Sequence, residues 1–335
     1  MDGRLILLDG STVPADAAAV KEALADGKLL WLDVVQPTPA DVDMLSKTFS
    51  LHPLAAADLT EFGQRPKIED FGNLVYMVWY GVAGDSAAPD ATSGAGLADL
   101  TEVHCFVAEK FFVTVRHAGC HAVEQLHDNP AAPLAAEPGR PVRLILLHSL
   151  ADRMIDSFFP PLSDLDDRID ELQEKIFSKP TNDQLAQLFA MQRWLVGARK
   201  LISPERDMVA SLVSGMVVLP GTTAESDPYL RDLYDHLIRI SDLVDSYRDL
   251  LSNAMDAYLS MVSNKLNEVM KQLTIIATVF LPLSFLTGFF GQNFAWLVGK
   301  LGSLGSFLIL GIGTELIAVG GLYLLFRRRG WIGGG

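Results

Sequence analysis

Cysteine is nearly absent from the chain. Its 335 residues include only Cys105 and Cys120, too few for a disulfide framework or a four-cysteine zinc site. Cys105 lies in an apolar, strand-like run and reads as a small buried hydrophobe. A basic surplus is missing too: 27 Lys and Arg stand against 41 Asp and Glu, a net charge of -14. That argues against a nucleic-acid partner, which needs a basic face to displace counterions from phosphates. No glycine-rich loop ends in Lys-Ser or Lys-Thr, and there is no nucleophile elbow and no catalytic pair of carboxylates, so an enzyme is not expected. The N-terminus, MDGRLILLDGS, has no long apolar core and no cleavage site. No secretory signal is expected, and the bulk of the chain is placed in the cytosol.

Charge is scarcest at the C-terminal end, where Lys300, Glu315, Arg327, Arg328 and Arg329 are the only charged residues after Lys271. Hydrophobic residues make up 49% of the chain and the mean hydropathy is +0.24, which points to a lipid-embedded part. Leu273 to Phe290 is an uncharged run close to the roughly twenty residues that cross a bilayer. Gly302 to Phe326 is a second such run, interrupted only by Glu315. Lys265 and Lys271 precede the first run, the three arginines follow the second, and Lys300 alone lies between. By the positive-inside rule both termini are cytosolic, in a multi-pass protein of the inner or plasma membrane.

Before the membrane the expected organisation is a mixed α/β domain over 1–140, with strands at Arg4–Asp9, Leu29–Val35 and Asn73–Val82 and a hairpin over Thr101–Arg116 turning at Glu109 and Lys110. Helices are expected around Ala15–Ala25 and after Thr38-Pro39, where proline suits the first helical turn. The Ala-, Gly- and Ser-rich stretch Gly84–Gly96 reads as a solvent loop. Residues 141–227 read as an antiparallel helical pair, broken near Pro160-Pro161. From Leu233 through Leu237, Ile240, Val244, Tyr247 and Leu251 to Ala254, apolar residues alternate at fours and threes, and no proline or glycine occurs between Leu230 and Leu281. That is a coiled-coil-like seam on one very long helix. The fold class is therefore an α+β membrane protein: a cytosolic α/β domain, a stalk helix over 228–272, a first transmembrane helix over 273–291, an external loop over 292–303, a second transmembrane helix over 304–326 and a basic tail over 327–335.

Two helices cannot enclose a water-filled path, so a conducting protein of this design must oligomerise around an axis, with one helix of each subunit lining the pore. The first span is the candidate. One of its faces collects Asn267, Met270, Thr274, Ala277, Leu281, Ser284 and Gly288 at spacings of three and four, small, polar or flexible side chains.

Asn267, Met270-Lys271, Leu273 through Thr278, Pro282-Leu283, Thr287-Gly288 and Phe290 through Phe294 together resemble the first transmembrane helix of the CorA family of magnesium and cobalt channels. Leu51-His52-Pro53-Leu54, Asp58 and Gln64-Arg65-Pro66-Lys67 resemble that family's cytosolic signature, and Arg231-Asp232 with Tyr234-Asp235-His236 its stalk. The resemblance implies a funnel-shaped homopentamer in the bilayer that takes up Mg2+ and also Co2+, with Ni2+ or Zn2+ as further transported ions. It implies a selectivity mouth at Gly291, Gln292 and Asn293, where a ring of Asn293 amide oxygens holds a hydrated ion; Gln292 stands where the family has methionine. It implies an apolar constriction at Met270 with Leu273 or Thr274. It also implies a regulatory cytosolic Mg2+ site between subunits at Asp232, with Asp85 as the candidate partner carboxylate, that closes the channel when internal Mg2+ is high. The histidines show no spacing that demands a transition-metal site.

Two alternatives remain at this point: a proton-coupled zinc transporter of the related ZntB type, and a membrane-anchored metal-sensing scaffold. Glu315 bears on the first. An intramembrane acid is costly and usually faces protein groups, and the expected partner is a first-span hydroxyl, Thr278 or Thr287.

Overall fold

The computed structural model describes residues 2–7, 12–26, 29–83, 100–117, 119–130, 132–133, 141–220, 227–292, 295–300 and 302–332. Asp85 and Asn293 lie outside the described residues, so their expected roles carry no geometry. The described chain divides into two units, 1–256 and 257–335.

In the first unit seven strands form one sheet: β1 (Asp2–Leu7), β2 (Thr12–Pro14), β3 (Leu30–Val35), β4 (Lys67–Asp70), β5 (Leu74–Val82), β6 (Leu100–Ala108) and β7 (Phe111–Arg116). The order is β2-β1-β3-β7-β6-β5-β4. Every pair is antiparallel except β3 with β7. β5 and β6 are buried almost throughout, β5 with mostly apolar side chains, as strands covered on both faces must be. One face carries α1 (Ala17–Ala25), α2 (Pro39–Phe49) and α3 (Pro53–Asp58), whose Val20, Leu45 and Ala55 meet Leu32, Tyr76 and Phe106 of the sheet. Helix α2 begins where the sequence indicates, at a capping box between Thr38 and Asp41 with Pro39 in the first turn. The opposite face carries α4 (His121–Asp128), whose His127 ring lies 4.6 Å from that of Trp31.

The segment expected as an antiparallel pair holds three helices, α5 (Val142–Asp156), α6 (Phe159–Ser178) and α7 (Asn182–Val213). The break falls at Ser157-Phe158, which places Pro160 and Pro161 in the first turn of α6, where their missing N–H groups go unused. Strand β4 covers only Val75 to Val78 of β5, so the exposed edge beyond it needs other acceptors. The Tyr80 N–H donates to Glu205 Oε1 of α7 at 2.6 Å, and the Val82 N–H donates to Ser157 Oγ at 2.7 Å. Glu205 is fully buried and its Oε2 has no hydrogen bond. Burial, opposed only by the Tyr80 N–H, pushes its carboxyl up to about 8.

Helix α8 runs unbroken over 64 residues, Asp227–Phe290. Its seam residues Leu233, Leu237, Ile240, Val244, Tyr247, Leu251 and Ala254 are all buried within the first unit. After it come α9 (Ala295–Lys300), α10 (Leu304–Ser306), a π-helical segment (Phe307–Gly313) and α11 (Thr314–Arg328). The stretch expected as an external loop thus contains a short helix, and the second apolar run is not a uniform α-helix. Glycines 311 and 313 and Ser306 flank or occupy its wide turn, where side-chain packing imposes little. Pro228–Phe290 and Leu304–Arg328 each hold a window long and apolar enough to cross a bilayer, with none of that window buried.

Candidate ion pathway and cation cluster

In the second unit the half-buried residues of the first span are Ile275, Thr278, Val279, Pro282, Leu283, Leu286 and Phe290. At about 100° per residue they form one stripe, the side on which Thr287 meets Glu315 of α11. Ala277, Leu281, Ser284, Gly288, Met270 and Thr274 fall about 180° away on the same wheel. These six, with Asn267 and Leu273, are all exposed in the single chain. The face free of the second span is therefore the small and polar one. Ile276, Phe280, Phe285 and Phe289 occupy the flanks between the two stripes and are exposed as well.

Helix α8 ends at Phe290, where the Gly291 N–H still bonds the Thr287 carbonyl at 2.9 Å. A Cβ at Gly291 would lie 3.0 Å from that carbonyl oxygen, a tight contact that glycine avoids. Gln292 follows and is exposed.

Of the two hydroxyls expected to meet Glu315, Thr287 is the partner, with its Oγ1 3.0 Å from Glu315 Oε1. Thr287 Oγ1 also lies 2.7 Å from the Leu283 carbonyl. One hydroxyl proton serves two acceptors here, and both contacts are satisfied together when the acid brings a proton of its own. Glu315→Gln can make the same bonds. It should therefore preserve assembly, flux and indifference to a pH gradient, read in proteoliposomes with the lumen at matched and at unequal pH. Loss of pH-driven uptake with the oligomer intact would show Glu315 to be a proton carrier.

In the first unit Asp232 does not stand alone. Its Oδ2 lies 3.0 Å from His148 Nε2 and its Oδ1 4.0 Å from His236 Nε2. His236 Nδ1 lies 3.4 Å from Asp152 Oδ1 and 3.1 Å from Asp156 Oδ1. Two overlapping triads result, His148–Asp152–Asp232 and Asp152–Asp156–His236, each with ligand atoms within 4.8 Å of one another. His236 Nδ1 and Asp156 Oδ1 are shut off from solvent, yet neither makes a hydrogen bond. Such orphaned donor atoms fit a cation. Burial and then the neighbouring Asp156 raise the Asp152 carboxyl above its ordinary value. The donor set mixes imidazole with carboxylate, which suits Co2+, Ni2+ or Zn2+ as well as Mg2+. Sequence reasoning found Asp232 and missed the others. Their signal was present: His148, Asp152 and Asp156 recur every four residues on α5, as do Asp232 and His236 on α8, which places each set on one helix face.

The other signature residues do structural work. Lys67 bridges Asp58 at 2.5 Å and Glu69 at 2.8 Å. His52 Nδ1 accepts from the Leu54 N–H at the start of α3 and its ring stacks on Phe71. Buried Glu102 accepts from the backbone N–H groups of Gly63 and Gln64 at 2.5 and 3.2 Å, and His104 Nε2 lies 2.8 Å from its Oε1. Burial would raise the Glu102 carboxyl, but the hydrogen bonds from His104 and the Gly63 N–H hold it below its ordinary value.

An α/β domain, a 64-residue helix entering a span and a second span with Glu315 hydrogen-bonded to the first match known transport proteins over nearly their whole length. The family described as CorA-like Mg2+ transporter protein matches residues 26–328. The chain is 33% identical over 308 residues to the cobalt/magnesium transport protein CorA of Thermotoga maritima, covering 90% of this chain and 83% of that one. The structure of the CorA magnesium transporter from Methanocaldococcus jannaschii superposes with a TM-score of 0.75 at 22% identity, covering 91% and 92% of the two chains. The zinc transport protein ZntB of Yersinia pseudotuberculosis is 24% identical over 82% of this chain and 80% of its own. The molecule is thus a membrane transporter of divalent cations. It belongs to the CorA-like Mg2+ transporter family.

Proposed function

We propose that the chain forms a homopentameric channel in the cell membrane that takes up Mg2+, and also Co2+, with both termini in the cytosol. The reading rests on one observation above all, that the small and polar face of the first span points away from the second span and is open in the single chain. Arranged around an axis, that face lines a path and the second spans form an outer ring. Met270 with Leu273 or Thr274 would narrow it, since rings of such side chains close a pore by dewetting. Asn267 offers an amide oxygen one turn toward the cytosol. Gly291, Gln292 and Asn293 would form the mouth. Magnesium dehydrates reluctantly and keeps several waters, so a ring of amide oxygens suits it better than a close carboxylate cage. Flux into proteoliposomes of Mg2+, Co2+, Ni2+ and Zn2+ in turn, with and without a pH gradient, tests the proposal. Failure to move Mg2+ in an assembled protein overturns it.

Regulation is assigned to Asp232. With cytosolic cation high, occupancy of the site at Asp232 stabilises the closed arrangement, and its loss releases it. Asp232→Asn removes the charge that His148 and His236 face. The internal cation concentration for half-inhibition should rise about tenfold, the low end for damage to a metal site. Inhibition curves for Mg2+ and for Co2+ check this; an unmoved midpoint makes Asp232 a solvated carboxylate.

A second reading, proton-coupled zinc uptake of the ZntB kind, draws support from Glu315 and from the imidazoles of the cluster. It stands second because no other carboxylate or imidazole among the described residues of either span could continue a proton path from Glu315.

A further inference from the structure

The first unit contains a cleft of about 1130 Å³ whose lining departs from the acidic character of the chain. Four cations face it: Arg65 from the loop before β4, Arg199 and Lys200 from α7, and Arg248 from α8. Only Glu102 and Asp207 oppose them within the lining. Glu102 is occupied by Gly63, Gln64, Tyr80 and His104, and Asp207 lies 3.4 Å from Arg206. Arg199 and Arg248 share one oxygen, Asp245 Oδ1, at 2.6 and 3.7 Å. Arg65 and Lys200 have no acidic partner among the described residues. Positive charge is left over on the rim of this cleft, in a protein of net charge -14.

The cleft is also built rather than incidental. The buried Glu102 carboxylate holds the Gly63 and Gln64 N–H groups, which fixes the loop that carries Arg65. Tyr80 OH, 2.7 Å from the Gln64 carbonyl, braces the same loop from β5. Between the cations the wall is apolar, formed by Leu195, Val196, Leu201 and Val244. Val196 is 43% exposed there. An inorganic phosphate would fill little of this volume, which reaches the upper end of ordinary small-molecule sites, about 300–1,000 Å³. A ligand that satisfies both surfaces carries several phosphate charges at one end and a flat apolar body at the other. Guanidinium groups recognise phosphate oxygens in pairs, and Lys200 adds a point charge.

We propose that this cleft binds an organic polyphosphate of the nucleotide kind, with its phosphate chain on Arg65 and Lys200 and its base on the Val196–Leu201 wall. The bound anion would bridge the sheet loop, α7 and α8.

Calorimetric titration of the purified full-length protein in detergent, in buffer free of divalent cations, tests this with ATP, inorganic tripolyphosphate and adenosine. ATP should bind, with an affinity that falls as salt is raised. Tripolyphosphate should bind more weakly, and adenosine not measurably. The double variant Arg65→Gln/Lys200→Gln should weaken ATP by about tenfold or more, through two lost charge-assisted contacts. Its thermal midpoint should match the parent's, because neither side chain holds an ion pair in the fold. Lys200→Gln alone, on an exposed helix position, should show a smaller loss in the same direction. Absence of ATP binding, as when a neighbouring copy fills the cleft, overturns the proposal. So does tripolyphosphate or adenosine binding as tightly as ATP, or a double variant that binds ATP like the parent.

Discussion

Replacing Asn293 by alanine should reduce Mg2+ uptake by about two orders of magnitude while leaving the oligomer intact. In a pentamer the change deletes five amide oxygens from one ring. Each would accept from water in the first shell of the ion, and a hydrogen bond contributes at least ~0.5 kcal/mol net. Five such losses give ~2.5 kcal/mol, close to a hundredfold in rate. Folding should be indifferent, because α8 ends at Phe290 and its last N–H groups are satisfied before this position, Gly291 by Thr287 and Gln292 by Phe289. Uptake of Mg2+ by proteoliposomes, paired with the elution volume of the detergent-solubilised protein, separates the two effects. Unchanged flux in an assembled variant would remove Asn293 from the pathway. Gln292→Met is the natural control, since it restores the residue found in the family the sequence resembles. It should keep Mg2+ flux within a few-fold and change the order of preference among Mg2+, Co2+ and Ni2+. An assembled but silent Gln292→Met protein would place the glutamine amide itself in the mouth.

The membrane part of the fold was legible because its signal is long and one-dimensional. The 64 residues after Lys271 carry only five charges and leave few readings, and the seam from Leu233 to Ala254 repeats often enough to fix one buried face. A first-span hydroxyl was the expected partner of Glu315, and packing selects Thr287. The division of 141–227 into three helices was less legible: Pro160-Pro161 marks a break, but nothing local indicates that α5 packs against the sheet as a separate helix. The cation cluster was half visible. Periodicity of four on α5 and on α8 gives two half-sites, yet only tertiary packing brings His148 to Asp232 and His236 to Asp156. The short strands β2 and β4 were not legible, because three or four residues carry too little alternation to stand out from loops. Least visible of all was Glu205. It sits among Arg199, Lys200, Arg206 and Asp207 on a charged helix, where a solvated carboxylate is the ordinary expectation, and its partner is 125 residues away.

Glu205 therefore gives a test of the packing itself. Its carboxyl is raised to about 8 in the folded protein from an ordinary 4.5. Between these values the folded state holds a proton that the unfolded state has lost. Stability must then decrease as pH rises through that window and level off above it. At 1.36 kcal/mol per pH unit the full loss is on the order of 4–5 kcal/mol, or about 10 °C in the unfolding midpoint of a unit this size. Glu205→Gln keeps an oxygen for the Tyr80 N–H and cannot ionise. The expected result is a pair of curves that meet near pH 5 and separate with rising pH, the variant being more stable by about 10 °C at pH 8.5. Thermal unfolding of the first unit within the full-length protein, followed by far-ultraviolet circular dichroism across pH 5 to 9, reads the difference directly, and other titrating groups cancel between parent and variant. Glu205→Leu supplies the contrast. It cannot ionise either, but it orphans the Tyr80 N–H at the uncovered edge of β5, which costs about 1–3 kcal/mol at every pH. That curve should lie below the Glu205→Gln curve by a constant amount. Parallel curves for parent and Glu205→Gln would mean that the carboxylate is solvated, and that α7 does not close the edge of the sheet.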